Sequence, residues 1–448
     1  MVKRDERERE MLDFLGINEI EELFEDVPDQ IRTDLEMPEG LSERKVMSKV
    51  KKKLKKNKDP DKVTSFLGAG IYEHFIPAAV NEIIGQSEFY TSYTPYQAEI
   101  SQGLLQALFE YQSLIAELTG LGAVNTSMYD KPTALAEAIL MSARVKRKGN
   151  KFLIPENTHW ENDAVINNYL RGKDIEIEKV DFNEEGRIDK EDLKAKMDDD
   201  VLGFYVSTPN VFGVLEEDVD AFKDIKEDND CVLVAGTNPL VLSLMRPPGE
   251  WGADIVVGDS QPLGIPKGYG GPSVGIFACN EKNIRKMPGR IIGETEDSDG
   301  KRAYCMTLQT REQHIRRERA TSNICTNQSL MALASAAYMF LQGGKGLEEL
   351  AKENYKKAHE TAKRINELEG FEAPYFESES FNEFTVKTPE DSKSLLKGCK
   401  KKDIIPGVPL DKKDKFSSLP NTLLTAVTET KTEEELNEFV ETLEEVTE

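Results

Sequence analysis

The residues best placed for chemistry lie in GDSQPLGIPKGYGGPSVG, residues 258–275, where one lysine, Lys267, stands in a turn rich in glycine and proline. The turn follows ADIVV (253–257), an apolar run that reads as a buried strand. A lysine amine just past a strand is where an enzyme could hold an aldehyde cofactor as a Schiff base. Other reactive side chains are sparse. His74, His159 and His359 do not cluster with acidic residues as metal ligands would, and His314 sits among Arg311, Arg316 and Arg317 as an interface residue. The five cysteines, Cys231, Cys279, Cys305, Cys325 and Cys399, are far apart and form no C-x-x-C pair. That spacing argues against a structural zinc site and against a disulfide framework, and it fits a reducing cytoplasm. Nothing adjacent would activate a Cys325 thiolate, so it reads as a small packing residue.

The elements that must position these groups alternate between helix and strand from about residue 64 to 320. SQGLLQALFEYQSLIAELTG (101–120) is an amphipathic helix with Gly120 just beyond its end. PTALAEAILMSARVKRK (132–148) has proline in its first turn, basic residues in its last and Gly149 after it. Strand-like runs follow at 151–154, 175–177, 201–206 and 231–234, an order that predicts a mostly parallel sheet flanked by helices. A small-residue helix, NQSLMALASAAYMFLQ, is expected to end at Gly343-Gly344. After it, a long helix, short strands around Phe384 and Leu424, and a final acidic helix predict a smaller α/β domain, with the lysine-rich KGCKKKD near Cys399 as a loop. The predicted organisation is a helical arm over 1–63, a large α/β domain over 64–326 and a small one over 327–448.

The totals agree with a globular protein: 448 residues, 38% hydrophobic and 31% charged. No apolar run approaches the roughly 20 residues needed to span a bilayer, and the charged start MVKRDERERE is no secretory signal. A net charge of −24 disfavours general nucleic-acid affinity. The basic stretch ERKVMSKVKKKLKKNKDPDK (43–62) reads as a solvated helical face ending at the Asp59-Pro60 break, with a docking surface for an acidic partner as the alternative.

Four passages are too unusual for a generic α/β chain: SFLGAGIYEHFIPAAVNEII from Ser65, EFYTSYTPYQAEISQGLLQALFEYQ from Glu88, QPLGIPKGYGGPSVG from Gln261, and MTLQTREQHIRRERATSNICTNQ from Met306. Together with MLDFLGINEIEELFEDVPDQIR near the start, they resemble the P protein of the glycine cleavage system, a pyridoxal-phosphate glycine decarboxylase. The resemblance covers nearly the whole chain, and it is to the first of the two similar halves from which that enzyme is built. It implies a pyridoxal-phosphate transferase of fold type I and assembly with the second-half subunit as a heterotetramer, two of each. It also implies the reaction, in which glycine loses carbon dioxide and its aminomethyl group passes to the lipoamide of the H protein.

Competent members of this fold need a lysine for the cofactor aldehyde and an upstream aspartate that keeps the pyridinium nitrogen protonated. The second half of the family carries these as D-G-A-N and H-K-T-F. Here the first turn is AGTN (235–238), with Ala235 at the aspartate position, and the lysine position falls near Gln261 or Pro262. Lys267 lies further along and reads as a surface or packing lysine. At the helix start where a cofactor phosphate would sit, SMYDKPTALAEA offers Asp130 as an acidic cap and Pro132 without an N–H, which suits a structural helix start better than a phosphate cup. The resemblance therefore implies that the partner subunit, not this chain, binds the cofactor covalently. Two polar passages are candidates to complete the partner's site: Ser322, Asn323, Thr326 and Asn327 toward the cofactor, and Thr94, Tyr96 and Gln102 toward glycine, with polar interface loops as the alternative. The competing readings are a self-sufficient decarboxylase or aminotransferase using Lys267, and a non-catalytic binding protein on the same fold.

Overall fold

The structure, a computed structural model, describes residues 4–33, 36–58, 62–324 and 326–447. The chain divides after Asp59 into two compact units. The first contains the helices Arg4–Leu15 and Glu43–Leu54 with two short 3-10 turns between them. Its apolar side chains Phe14, Leu23, Phe24, Met47 and Leu54 are exposed, so it builds no core of its own. The Asp59-Pro60 break lies outside the described residues.

The central sheet of the second unit has seven strands, numbered here in chain order: β1 (Ala123–Val124), β2 (Lys151–Pro155), β3 (Glu176–Val180), β4 (Val201–Thr208), β5 (Val232–Thr237), β6 (Ile255–Asp259) and β7 (Gly275–Cys279). Their spatial order is β1-β7-β6-β5-β4-β2-β3. The block from β3 to β6 is parallel, β7 runs antiparallel to β6, and β1 antiparallel to β7. β4 and β5 are buried along their whole length, which is why their sequences show no polar alternation.

The helix Gln102–Thr119 ends at Gly120, whose φ of 70° is left-handed and needs glycine's freedom from a Cβ. The helix Lys131–Lys146 starts from Asp130, whose carboxylate accepts the Thr133 N–H at 2.8 Å. It stops at Arg147, in the left-handed region at φ 62°, ahead of the expected Gly149. The small-residue helix does break at Gly343 (φ 62°, ψ 173°), and the chain then resumes helix to Asn366. Before the break, Ala332, Ala334 and Tyr338 join the core of the large sheet. Beyond it, Ala358, Ala362 and Ile365 join a second core with Phe384, Leu423 and Phe439, over the antiparallel strands Glu383–Lys387, Thr422–Ala426 and Val408–Pro409. Cys399 is not in a loop: it closes the helix Ser392–Cys399 and is fully buried.

One segment ties the two cores together. Thr64–Ser65 pairs in parallel with Ile404–Ile405, and the Phe66 ring stacks on Phe439 with centroids 3.8 Å apart. The chain then carries Ala69, Gly70 and Tyr72 to the carboxyl ends of the central strands. Among the described residues no helix is long and apolar enough to cross a membrane, and no group of three or more His, Cys, Asp or Glu is placed to hold a metal ion.

Candidate functional site

Parallel strands that end on one edge leave a crevice at their carboxyl ends, where ligands bind in sheets of this kind. In this chain the crevice is a cavity of about 70 Å³. Ser207 reaches it from the end of β4, Thr237 and Asn238 from β5, and Asp259 from β6. His159 lies just past β2, and Lys131 is the first residue of its helix. Tyr72 and Glu383 close the opposite side.

Burial dominates the electrostatics. It pushes the Glu383 carboxyl up to about 7, although bonds from the Ala69 N–H (2.5 Å) and the Tyr72 hydroxyl (2.9 Å) favour its anion. Burial also lifts Asp259 to about 6, against the Ser273 hydroxyl and the N–H groups of Gln261 (2.9 Å) and Lys131. His159, stacked on Trp160 at 3.9 Å, is pushed down to about 4 by burial first and then by the Lys131 charge, so it is neutral at pH 7. Its Nδ1 accepts the Glu161 N–H at 3.2 Å, which places the ring proton on Nε2, and Nε2 is buried without a well-aligned partner. Asn238 is similarly oriented: Oδ1 accepts the Leu240 N–H at 3.0 Å, and Nδ2 is buried without a partner.

These groups do not fit the cofactor that the sequence resemblance implies. Ala235 is fully buried and brings no carboxylate to a pyridinium. Gln261 is locked to its own chain, accepting the Tyr72 N–H at 2.8 Å and donating to the carbonyls of Tyr72 (2.8 Å) and Ile265 (2.9 Å). Pro262 lines the cavity without an amine. At the helix start the Lys131 N–H faces Asp259, Pro132 has none, and the Thr133 N–H is taken by Asp130, so a phosphate would meet two carboxylates instead of free donors. The volume is also far below the roughly 300–1,000 Å³ of pockets for cofactor-sized molecules. Lys267 lies outside the cavity, exposed and ion-paired with Glu73 at 3.0 Å. The lysine that does reach the cavity is Lys131, with Nζ 3.3 Å from the Ser207 hydroxyl.

The two polar passages come together elsewhere. The Tyr93 and Thr326 hydroxyls are 3.1 Å apart, joining one passage to the other. Arg290, itself buried, donates to the Thr94 hydroxyl at 3.3 Å and to the Tyr96 hydroxyl at 3.2 Å, and pairs with Glu312 at 3.5 Å. The His314 ring meets Tyr96 edge-on at 5.6 Å and its Nδ1 is 3.6 Å from Glu312. Ser322 donates to Glu137 at 2.6 Å, and the Asn327 amide donates to Thr126 at 2.7 Å. Asn323 is exposed and, with Ser322, borders an opening of about 560 Å³ shared with Arg144 and Lys173. Gln102 braces the Ile291–Glu296/Arg302–Thr307 hairpin through both backbone groups of Tyr304, each at 2.8 Å. Cys325 lies outside the described residues. His74 and His359 each meet one carboxylate, Glu429 at 2.9 Å and Glu379 at 3.5 Å.

Sequence reasoning did not foresee Tyr72, His159, Asn238, Asp259 or Glu383 as cavity residues. Glu383 is separated from Tyr72 by most of the chain, and no local pattern announces that contact. The signal available for His159, Asn238 and Asp259 was position: each sits at or just beyond the end of a strand-like run, where an α/β sheet places its site, and Tyr72 had none.

The family model described as "Glycine cleavage system P-protein" matches residues 1–443. A "Probable glycine dehydrogenase (decarboxylating) subunit 1" of Thermococcus onnurineus (strain NA1) is 48% identical over 439 residues, covering 98% of this chain and 97% of that protein. A protein of the same description from Listeria monocytogenes serotype 4b (strain F2365) is 47% identical over 444 residues, again with 98% and 97% covered. A solved structure of glycine decarboxylase (P-protein) of the glycine cleavage system, in inhibitor-bound form, superposes with a TM-score of 0.90 at 36% identity over 100% of this chain and 99% of that one. Lactobacillus brevis glutamate decarboxylase shares the fold at a TM-score of 0.70 and 11% identity, covering 94% and 96%.

Proposed function

Because the chain belongs to the glycine cleavage system P-protein family, we propose that it is the first-half subunit of a two-subunit glycine decarboxylase whose pyridoxal phosphate is held covalently by the partner. Its α/β architecture is that of fold type I pyridoxal-phosphate enzymes. In the assembled enzyme, two copies of each subunit decarboxylate glycine and pass the aminomethyl group to the lipoyl arm of the H protein, and this chain alone is inactive. The cofactor in the partner supplies the electron sink for loss of carbon dioxide. This chain supplies the fold's second wall and polar groups at the shared boundary.

The observation that supports the reading is at the strand ends: Ala235, where the resemblance expects the aspartate, is buried without a carboxylate, and Gln261 and Pro262, where it expects the lysine, bring no amine. The meeting of the two polar passages at Tyr93 and Thr326, with Arg290 holding Thr94 and Tyr96, supports a contribution across the interface. In that contribution Ser322, Asn323, Thr326 and Asn327 face the partner's cofactor, Thr94 and Tyr96 face glycine, and Gln102 holds the hairpin on which they rest. The test is borohydride reduction of the assembled complex with pyridoxal phosphate, followed by peptide mapping. The pyridoxyl group is expected on the partner alone. Its recovery on Lys131 or Lys267 of this chain would overturn the reading.

A further inference from the structure

The cavity at the strand ends is poorly suited to the cofactor, yet it is not an inert remnant. Inside it three groups can donate to an anion and have no carboxylate of their own. Lys131 Nζ is 3.3 Å from the Ser207 hydroxyl, and among the described residues no carboxylate forms an ion pair with it, although its charge reaches Glu383. The Asn238 side chain, on a residue only 9% exposed, has its Nδ2 buried and unpartnered while its Oδ1 is fixed by the Leu240 N–H. His159 Nε2, protonated because Nδ1 accepts from the Glu161 N–H, has no well-aligned partner, and only the Ala69 backbone interacts with the ring. Native proteins seldom leave buried donors empty, because each such group costs free energy unless water or a ligand meets it. Across the same cavity stand two carboxyl groups, Asp259 and Glu383, held by donors from their own chain. The space, about 70 Å³, equals little more than two water molecules at about 30 Å³ each.

We propose that this cavity binds a small zwitterion of the glycine class, its carboxylate toward Lys131, Asn238 and His159 and its ammonium toward Asp259 and Glu383. The presence of both signs selects a zwitterion over a simple anion, since a bare anion would leave two carboxyl groups facing it. The small volume favours a small molecule. The site is separate from the reacting centre proposed for the partner. It rests on that reading only in that no cofactor fills the space. Because Tyr72 and Glu383 come from segments packed with the small core, an occupant would touch both cores at once.

The experiment is equilibrium dialysis of labelled glycine against the assembled complex, before and after borohydride fixes the cofactor. One class of glycine site should survive reduction. It should weaken about 10–100-fold in Lys131→Met and in Asn238→Asp, which keeps the Oδ1 acceptor for Leu240 but removes the free donor. Acetate and methylamine should each bind at least tenfold more weakly than glycine, and leucine should not bind. Loss of all glycine binding on reduction, or undiminished binding in both variants, overturns the proposal. Acetate binding as tightly as glycine overturns it too, since the site would then read only an anion. Cofactor found on this chain by mass spectrometry would instead sink the assignment of the cofactor to the partner, so the two failures are distinguishable.

Discussion

The strand-end cavity and the loop cluster around Arg290 are both polar, and they differ in closure. The cavity holds about 70 Å³ and its walls are bonded to one another: Gln261 to Tyr72, Tyr72 to Glu383, Asp259 to Ser273. Next to the loop cluster, Ser322 and Asn323 border an opening of about 560 Å³, and Tyr93, Asn323 and Thr326 are exposed residues. Polar side chains at the strand ends are thus tied to one another across the two cores, whereas those on the loops are tied to nearby loops and helices.

The comparison breaks most severely if the segment joining the two cores is loosened. Phe66 is fully buried and stacked on Phe439. Phe66→Ala should therefore lower the stability of the chain by about 3–5 kcal/mol, as large-to-small core changes do. Chemical denaturation of the purified chain or complex checks it. A loss under about 1 kcal/mol would show that the cavity's outer wall is not held by this stack.

A second test titrates the cavity. The folded-state pKa of Glu383, about 7, is raised above its ordinary value of 4.5, so the native state binds a proton that the unfolded chain has released. That contribution to stability is fully present below about pH 4.5 and is lost as pH rises toward 7, with Asp259, raised from 3.8 to about 6, adding to the lower part of the same window. The loss from Glu383 should be on the order of 2–3 kcal/mol, at 1.36 kcal/mol per unit. In Glu383→Gln the unfolding free energy should be flatter between pH 5 and 7 than in the unaltered chain. Identical slopes would mean that Glu383 is ionised throughout.

How much of this was legible in the sequence depends on range. The run from β2 to β6 and the capping of Lys131–Lys146 by Asp130 follow from local patterns, and each strand lies within a few residues of its apolar run. Ala235 and the Gln261-Pro262 pair were reached through the family resemblance, by matching its D-G-A-N and H-K-T-F turns to this sequence. The pairing of Glu383 with Tyr72 was not legible, since it depends on how two cores dock and not on any nearby residue. The direction of Lys131 was equally hidden: a helix start shows where the backbone N–H groups go but not which way a long side chain turns. The same limit applied to Gln102, whose polarity suggested a ligand contact and whose amide instead braces Tyr304.

The loop cluster has its own test, smaller in energy than the cavity changes. Ser322→Ala combined with Thr326→Val removes two hydroxyls, one bonded to Glu137 and one to Tyr93. If they serve the partner's cofactor, glycine–bicarbonate exchange by the complex should fall about 10–100-fold, since a hydrogen bond to a charged group contributes about 1.5–3 kcal/mol. Assembly should persist. Exchange and cofactor occupancy both at the unaltered level would make the loop an interface spacer.

The smallest effect is expected at Lys267. Lys267 is exposed, and among the described residues its one ion pair is with Glu73, which is half-buried. Glu73 keeps a second cation in Lys431 at 3.1 Å, whose own side chain is only 6% exposed, so removing Lys267 leaves no uncompensated buried charge. The burial of Glu73 opposes its anion, and the Lys431 charge then holds its carboxyl below the ordinary value together with Lys267. A surface pair of this kind contributes about 0–1 kcal/mol. Lys267→Ala should therefore change stability by less than about 1 kcal/mol and leave exchange activity and cofactor content of the complex as they were. The same substitution sharpens the contrast between the two regions, because Lys267 belongs to neither. A variant that lost its cofactor absorbance would return the Schiff-base role to this turn and make the closed cavity irrelevant to where the cofactor sits.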